Sequence, residues 1–292
     1  MAEVTAAQVK DLREMTGLGM MECKKALQES NGDIDKAEEI LRIRSGAKAS
    51  KASARIAAEG IVGVFISVDK KLGALVEVNC ETDFAAKNED FLLFANGLAE
   101  LVAKHNPADV AAIGALPVDG SNVEARRQAL VQKIGENISI RRFERLNASG
   151  KLTQYLHGAR IGVLVDVDGP EETAKDLAMH VAFAKPRFMT KGDVPPEVVA
   201  KEKDIISARA TESGKPAEIV AKMIDGGINK YLGEISLLGQ PFVKDDKQTI
   251  EKMLAARKAA IHAYRFFVVG EGIEKKSTDF AAEVLAQASL AR

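Results

Sequence analysis

The 292-residue chain is 46% hydrophobic and 28% charged, a globular composition that excludes disorder or a collagen-like repeat as an overall description. Lys and Arg number 41 against 42 Asp and Glu, a formal net charge of -1, whereas a chain that wraps a polyanion carries a basic excess, so no direct nucleic-acid partner is expected. No run of about 18 apolar residues is present to span a membrane. Met1-Ala2-Glu3-Val4-Thr5 holds no signal-peptide core, and Cys23 and Cys80, far apart, fit free thiols in a reducing compartment. A cytoplasmic protein of two or three modest domains is the expectation.

Residues 1–56 read as a helical unit plus linker. Thr5 suits an N-cap ahead of Val9, Leu12 and Met15 at helical spacing, and Gly17-Leu18-Gly19 breaks that helix. Met20, Cys23, Ala26 and Leu27 mark a second helix stopped by Asn31-Gly32, and Asp33 caps a third carrying Ile34, Ala37, Ile40 and Leu41. From Ser45 to Glu59 apolar bulk is scarce, which reads as a linker or a weakly held helix.

Residues 57–150 form the next unit. Val62, Val64, Ile66 and Val68 alternate, as do Ala74, Val76, Val78 and Cys80, with Asp69-Lys70-Lys71-Leu72-Gly73 as the turn of a hairpin. A helix from about Asp83 to Lys104, a second over Val123–Ile134 and a strand over Ile138–Phe143 follow. The same order, hairpin, helix, helix, strand, recurs in residues 151–189 and 239–272. Its parts are Leu152–Leu156, Ile161–Val167, Glu171–Ala184, Thr249–Ala260 and Tyr264–Val269. This recurrence predicts two related α+β core subdomains with antiparallel sheets. Residues 190–238 interrupt the second. Pro195-Pro196 opens one helix, Ser213-Gly214-Lys215-Pro216 turns the chain, and a second helix runs to about Leu232. Val198, Val199, Ile205 and Ile206 on one arm, with Ile219, Val220, Met223, Ile224 and Ile228 on the other, form a seam that invites a second copy or another protein.

Chemistry is sparse. His105, His157, His180 and His262 are scattered, and neither a His-Glu-x-x-His nor a Cys-x-x-Cys pattern occurs. Ser213-Gly214-Lys215 lacks the upstream glycine of a phosphate-binding loop, and Asp166-Val167-Asp168-Gly169-Pro170 lacks most ligands of a calcium loop. No cofactor, metal site or catalytic residue is predicted. Cys80-Glu81-Thr82-Asp83-Phe84-Ala85-Ala86-Lys87 stands where a strand becomes a helix. Thr82 or Asp83 suits a cap. Phe84 falls in phase with Phe91, Ala95, Leu98 and Val102, so it either tops a core stripe or overhangs it as an exposed wedge. A basic set (Lys48, Lys51, Arg55, Arg141, Arg142, Arg145) offers the alternative of an RNA-binding accessory protein, and a dispersed enzyme site is a third class.

Met15-Thr16-Gly17-Leu18-Gly19-Met20-Met21-Glu22-Cys23-Lys24-Lys25-Ala26-Leu27 closely resembles the N-terminal signature of the bacterial elongation factor Ts family. Val76-Glu77-Val78-Asn79-Cys80-Glu81-Thr82-Asp83-Phe84 resembles its second signature. Lys133–Ile138, His157–Leu164 and Gly239–Val243 continue in family order, so the likeness spans nearly the whole chain. It implies a guanine-nucleotide exchange factor for elongation factor Tu with no covalent chemistry. The implied architecture is an N-terminal ubiquitin-associated-like bundle, two α+β core subdomains, a helical-hairpin (coiled-coil) dimerisation module and a C-terminal helix over 273–292. It also implies that Thr82, Asp83, Phe84 and Ala85 dislodge magnesium in the partner, with Ala85 where the family has valine. Leu12, Met20, Met21, Lys25, His157 and Phe280 are the implied partner contacts. Phe280 belongs to a second Thr-Asp-Phe, Thr278-Asp279-Phe280, whose implied task is docking of the C-terminal helix. For His157, a merely solvated turn residue stands as the alternative.

Overall fold

The computed structural model describes residues 4–212 and 216–274. The expected turn at residues 213–215 and C-terminal helix, including Phe280, lie outside them.

Three helices open the described chain: α1 (Ala6–Thr16), α2 (Met20–Glu29) and α3 (Ile34–Ala52). Thr5 and Gln8 cap α1 reciprocally, and Asp33 accepts from the Lys36 amide to start α3. Val9, Leu12, Leu18, Cys23, Ala26, Leu27, Ala37 and Leu41 bury together between the three. Where a linker or loose helix is expected, α3 continues to Ala52. Its Ser45, Ala49 and Ala52 are buried, and Ala49 and Ala52 join the core of the first sheet. Small residues are strong enough helix formers and let two helices approach closely, so scarce bulk here marks a packing seam.

The first sheet has strands β1 (Glu59–Ile66), β2 (Leu72–Cys80) and β5 (Ser139–Asn147) in the order β1-β2-β5, all antiparallel. Between β2 and β5 run α4 (Glu89–His105), the short α5 (Val110–Gly114), a two-residue ladder of β3 (Pro117–Val118) with β4 (Ser121–Asn122), and α6 (Val123–Ile134). Gly63 lets α4 lie directly on β1, because a Cβ there would sit 2.3 Å from the Ala95 carbonyl oxygen. The second sheet repeats this topology: β6 (Lys151–His157), central β7 (Ile161–Asp168) and β10 (Ala260–Val268), with α7 (Glu171–Ala184) and α10 (Ile250–Ala256) between β7 and β10. The chain is thus α+β with small antiparallel sheets. Inserted after α7 are α8 (Pro196–Glu212) and α9 (Ala217–Ile235), followed by a small ladder of β8 (Pro241–Phe242) with β9 (Asp245–Thr249). Among the described residues no helix is long and apolar enough to cross a membrane.

The two sheets pack against each other. Val62, Leu75 and Leu146 of the first meet Leu152, Leu164 and Phe267 of the second, while α4 and α7 cover the opposite faces. β2 is therefore buried on both faces. Even its charged residue Glu77 is wholly buried. The Glu77 carboxylate accepts from Arg141, Arg142, Asn79 and the Gly270 amide. Burial pushes its pKa up, but the Gly270, Arg142 and Arg141 hydrogen bonds outweigh burial and hold it below the ordinary carboxylate value.

Candidate functional site

The chain leaves β2 at Cys80 and turns through Glu81-Thr82-Asp83-Phe84 before a single 3-10 turn, Ala85–Lys87. Asn88 then caps α4, accepting from the Asp90 and Phe91 amides. The helix expected from Asp83 begins at Glu89. The 3-10 turn and the extended Asn88 break the helical phase, so Phe91, Ala95, Leu98 and Val102 form the core stripe while Phe84 leaves it, 81% exposed. Of the two readings of Phe84, the exposed one describes the structure.

Neither Thr82 nor Asp83 caps the helix, a place taken by Asn88; Thr82 Oγ1 instead accepts from the Ala85 amide at 3.2 Å within the loop. The same hydroxyl donates to Glu136 Oε1 at 2.6 Å, and the Glu81 and Thr82 amides donate to Glu136 Oε2 at 3.1 and 3.0 Å. In return the Asn137 amide donates to the Glu81 carboxylate, which also pairs with Arg55 at 3.1 Å. The loop is thus tied to the α6–β5 turn. Below it, Cys80 Sγ donates to the Thr82 carbonyl at 3.1 Å, and burial pushes that thiol up to about 12, so it stays protonated. Ala85 is buried beneath the turn.

At the exposed tip, Lys87 Nζ lies 2.7 Å from the Asp83 carboxylate and 5.8 Å from the Phe84 ring centroid. The Lys87 hydrogen bond holds the Asp83 carboxyl below its ordinary range, with Arg160 adding a smaller favourable field. Arg160 sits at the β6–β7 tip and is paired with Glu59, while the neighbouring Ala159 carbonyl accepts from the Val62 amide at 2.9 Å. His157, the last residue of β6, is exposed and hydrogen-bonds through Nδ1 to Tyr155 at 3.2 Å. The hairpin tip that carries His157 is therefore fastened beside β1.

Met20 and Met21 are exposed on α2 and line an open apolar groove with Val4, Val9, Arg13 and Lys133, of about 980 Å³. Lys25 is also exposed. Leu12 is completely buried in the bundle, so its side chain packs the core and offers no surface to a partner. Sequence reasoning gave Glu136 no role, although it lies in one of the quoted motifs; its partners are 54 and 55 residues away, beyond any local pattern.

Among the described residues no group of three or more His, Cys, Asp or Glu side chains is placed to hold a metal. Asp166 accepts instead from the Ser149 and Gly150 amides, and Asp168 meets His262 at 2.8 Å. Five of the six basic residues weighed for RNA are engaged: Arg141 and Arg142 on Glu77, Arg145 on the Ala103 carbonyl, Arg55 on Glu81, Lys48 on Glu22. What the Thr82–Ala85 loop offers is a presented aromatic ring beside an ionised carboxylate on a braced backbone.

The sequence model of the family described as Elongation factor TS matches residues 81–271. Proteins named Elongation factor Ts from Bordetella petrii, Cupriavidus necator and Nitrosomonas eutropha are 59%, 59% and 57% identical to the chain over 289, 292 and 291 residues. The alignments cover 99%, 100% and 99% of this chain and 99% of each relative.

Proposed function

The chain belongs to the elongation factor Ts family, and from that premise we propose that it is the guanine-nucleotide exchange factor for elongation factor Tu in translation elongation. It acts in the cytoplasm by binding, without making or breaking a covalent bond. The observation that carries the reading is the exposed Phe84 on a loop held rigidly from behind.

The physics of exchange sets what this loop must do. Magnesium demands near-ideal octahedral geometry and is shared between protein and phosphate oxygens, so a small displacement of its surroundings weakens the nucleotide. Phe84 enters an apolar cleft of the partner and Asp83 stands beside the magnesium region, with Thr82 and Ala85 fixing the backbone between them. Burying one phenylalanine supplies roughly 1.5–3 kcal/mol, too little to oppose a tightly held nucleotide alone. A factor that favours the nucleotide-free partner must weaken GDP by the same coupling factor, so the remainder comes from a broader interface. Met20, Met21 and Lys25 of an N-terminal ubiquitin-associated-like unit (1–56) supply part of it. His157 of the second core subdomain (151–189 and 239–272) and Phe280 of the C-terminal unit (273–292) supply more, and the first core subdomain (57–150) carries the wedge. The α8–α9 hairpin in 190–238 joins two copies, a reading supported by α9, on which no residue is fully buried despite Ile219, Val220, Met223, Ile224 and Ile228.

The test is release of labelled GDP from purified elongation factor Tu. Substoichiometric protein is expected to raise the off-rate with multiple turnovers. An unchanged off-rate would remove the assignment.

A further inference from the structure

We propose that Glu136 is the positioning residue of the exchange loop: its carboxylate fixes the direction in which Phe84 is presented, and thereby sets the rate of nucleotide release rather than the affinity for the partner. The proposal rests on the reading of Phe84 given above.

Three donors converge on this one side chain: the Glu81 amide, the Thr82 amide and the Thr82 hydroxyl, at 3.1, 3.0 and 2.6 Å. Hydrogen bonds to an ionised acceptor are about twice as strong as neutral ones, and two adjacent backbone amides aimed at one oxygen fix two peptide planes. Because Thr82 Oγ1 donates to Glu136 while accepting from the Ala85 amide, the constraint passes across Asp83 and Phe84 to the 3-10 turn beyond. Phe84 thus hangs between two anchored residues and is itself largely exposed. The α6–β5 turn is itself fixed: the Asn137 amide donates to Glu81, Asn137 Nδ2 donates to the Arg55 carbonyl at 2.7 Å, and Arg55 donates to the Gly135 carbonyl at 3.1 Å. Arg55 lies just beyond the end of α3, so the clasp joins the stem of the helical bundle, the wedge loop and the α6–β5 turn. A positioning group of this kind acts on the transition, because a wandering ring still binds while meeting the productive geometry less often.

The experiment uses the full chain with Glu136→Gln and Glu136→Ala, each alone and combined with Phe84→Ala. Glutamine keeps one acceptor oxygen but turns an NH2 group toward the donors, and it serves if the alanine variant folds poorly. Expected results are amide hydrogen exchange at Glu81 and Thr82 that is roughly tenfold faster with β2 unchanged, since a charged hydrogen bond is worth about that factor. The maximal GDP off-rate should fall about tenfold while the concentration giving half-maximal effect changes little. In the Phe84→Ala background the Glu136 changes should have no further effect, the signature of two residues acting as one unit. Undiminished exchange in Glu136→Gln and Glu136→Ala, while Phe84→Ala is slow, would overturn the proposal and leave the wedge reading standing. Additive losses in the double variants would also overturn it. If Phe84→Ala is as fast as wild type, the wedge reading itself falls, and the proposal with it.

Discussion

At the scale of single residues, two phenylalanines seven positions apart do opposite work. Phe91 is completely buried beneath α4, so Phe91→Ala should cost about 3–5 kcal/mol of folding stability, read from urea unfolding. Phe84→Ala should change stability by less than about 0.5 kcal/mol, as at other exposed positions, yet slow GDP release, most where magnesium is abundant. A Phe84→Ala protein as destabilised as the Phe91 variant, with normal release, would return Phe84 to the core. Sequence periodicity put both in phase, and the 3-10 turn with the Asn88 cap separates them, a boundary that helical spacing does not carry. A different residue contributes, beside the buried carboxylates Glu77 and Asp176, to the acid side of stability. His180 is buried, its Nδ1 accepting from the Val243 amide and its Nε2 facing Gln240 Oε1 at 3.1 Å. Burial lowers its pKa despite the opposing Gln240 bond. The folded state therefore binds fewer protons than the unfolded one, whose imidazole titrates near 6.5. The stability from a neutral His180 is full above about pH 6.5 and declines as pH falls below it. Ring-proton titration should give His180 a pKa below the ordinary imidazole value, and one above it would reverse the sign.

At the scale of elements, the hairpin differs from the rest in how little of it is buried. Among the described residues of α8 and α9 only Ala210 is buried, whereas the sheets and α4 are built on fully buried side chains. Replacing residues 198–232 with a short glycine-rich turn should leave the core folded and exchange active while, on the proposed self-association through this hairpin, shifting the free protein toward monomer. Sedimentation equilibrium decides it, since an unchanged mass would exclude the hairpin as the self-association surface. These two helices were legible because proline marks the start of one and a clear apolar seam runs along each. The repeated hairpin-helix-helix-strand order was equally legible, because period-2 and period-3.6 patterns alternate cleanly through it. The end of α3 was not. Ala49, Ala52 and Ser45 carry no bulk, so nothing local distinguishes a close helix seam from a loose tether; the partner surface on α6 lies about 80 residues away. The clasp at Glu136 was hidden for the same reason, its meaning resting on a strand end far off in sequence. Glu77 was given no role from sequence, because the two arginines and the second sheet that close over it come from distant parts of the chain.

At the scale of the whole molecule, β2 belongs to two cores at once. Ala74, Val76 and Val78 face α4, while Leu75 faces the second sheet. The sheets meet closely enough that a Cβ on Gly162 would lie 2.5 Å from the Val62 side chain, so they interlock rather than merely touch. Yet only residues 148–150 join β5 to β6, and each sheet is assembled from its own stretch of chain. This combination makes the molecule a natural subject for fragment complementation. A chain divided between Asn147 and Lys151 should give two pieces that aggregate separately, one baring Val62, Leu75 and Leu146, the other Leu152, Leu164 and Phe267. Mixed during refolding, they should recover a single complex with native exchange activity, detectable by co-elution at the mass of the intact chain. Two independently soluble, folded halves would show that the seam between the sheets contributes little. Recovery would mean instead that the shared seam, and not the peptide link across it, is what makes this protein one body.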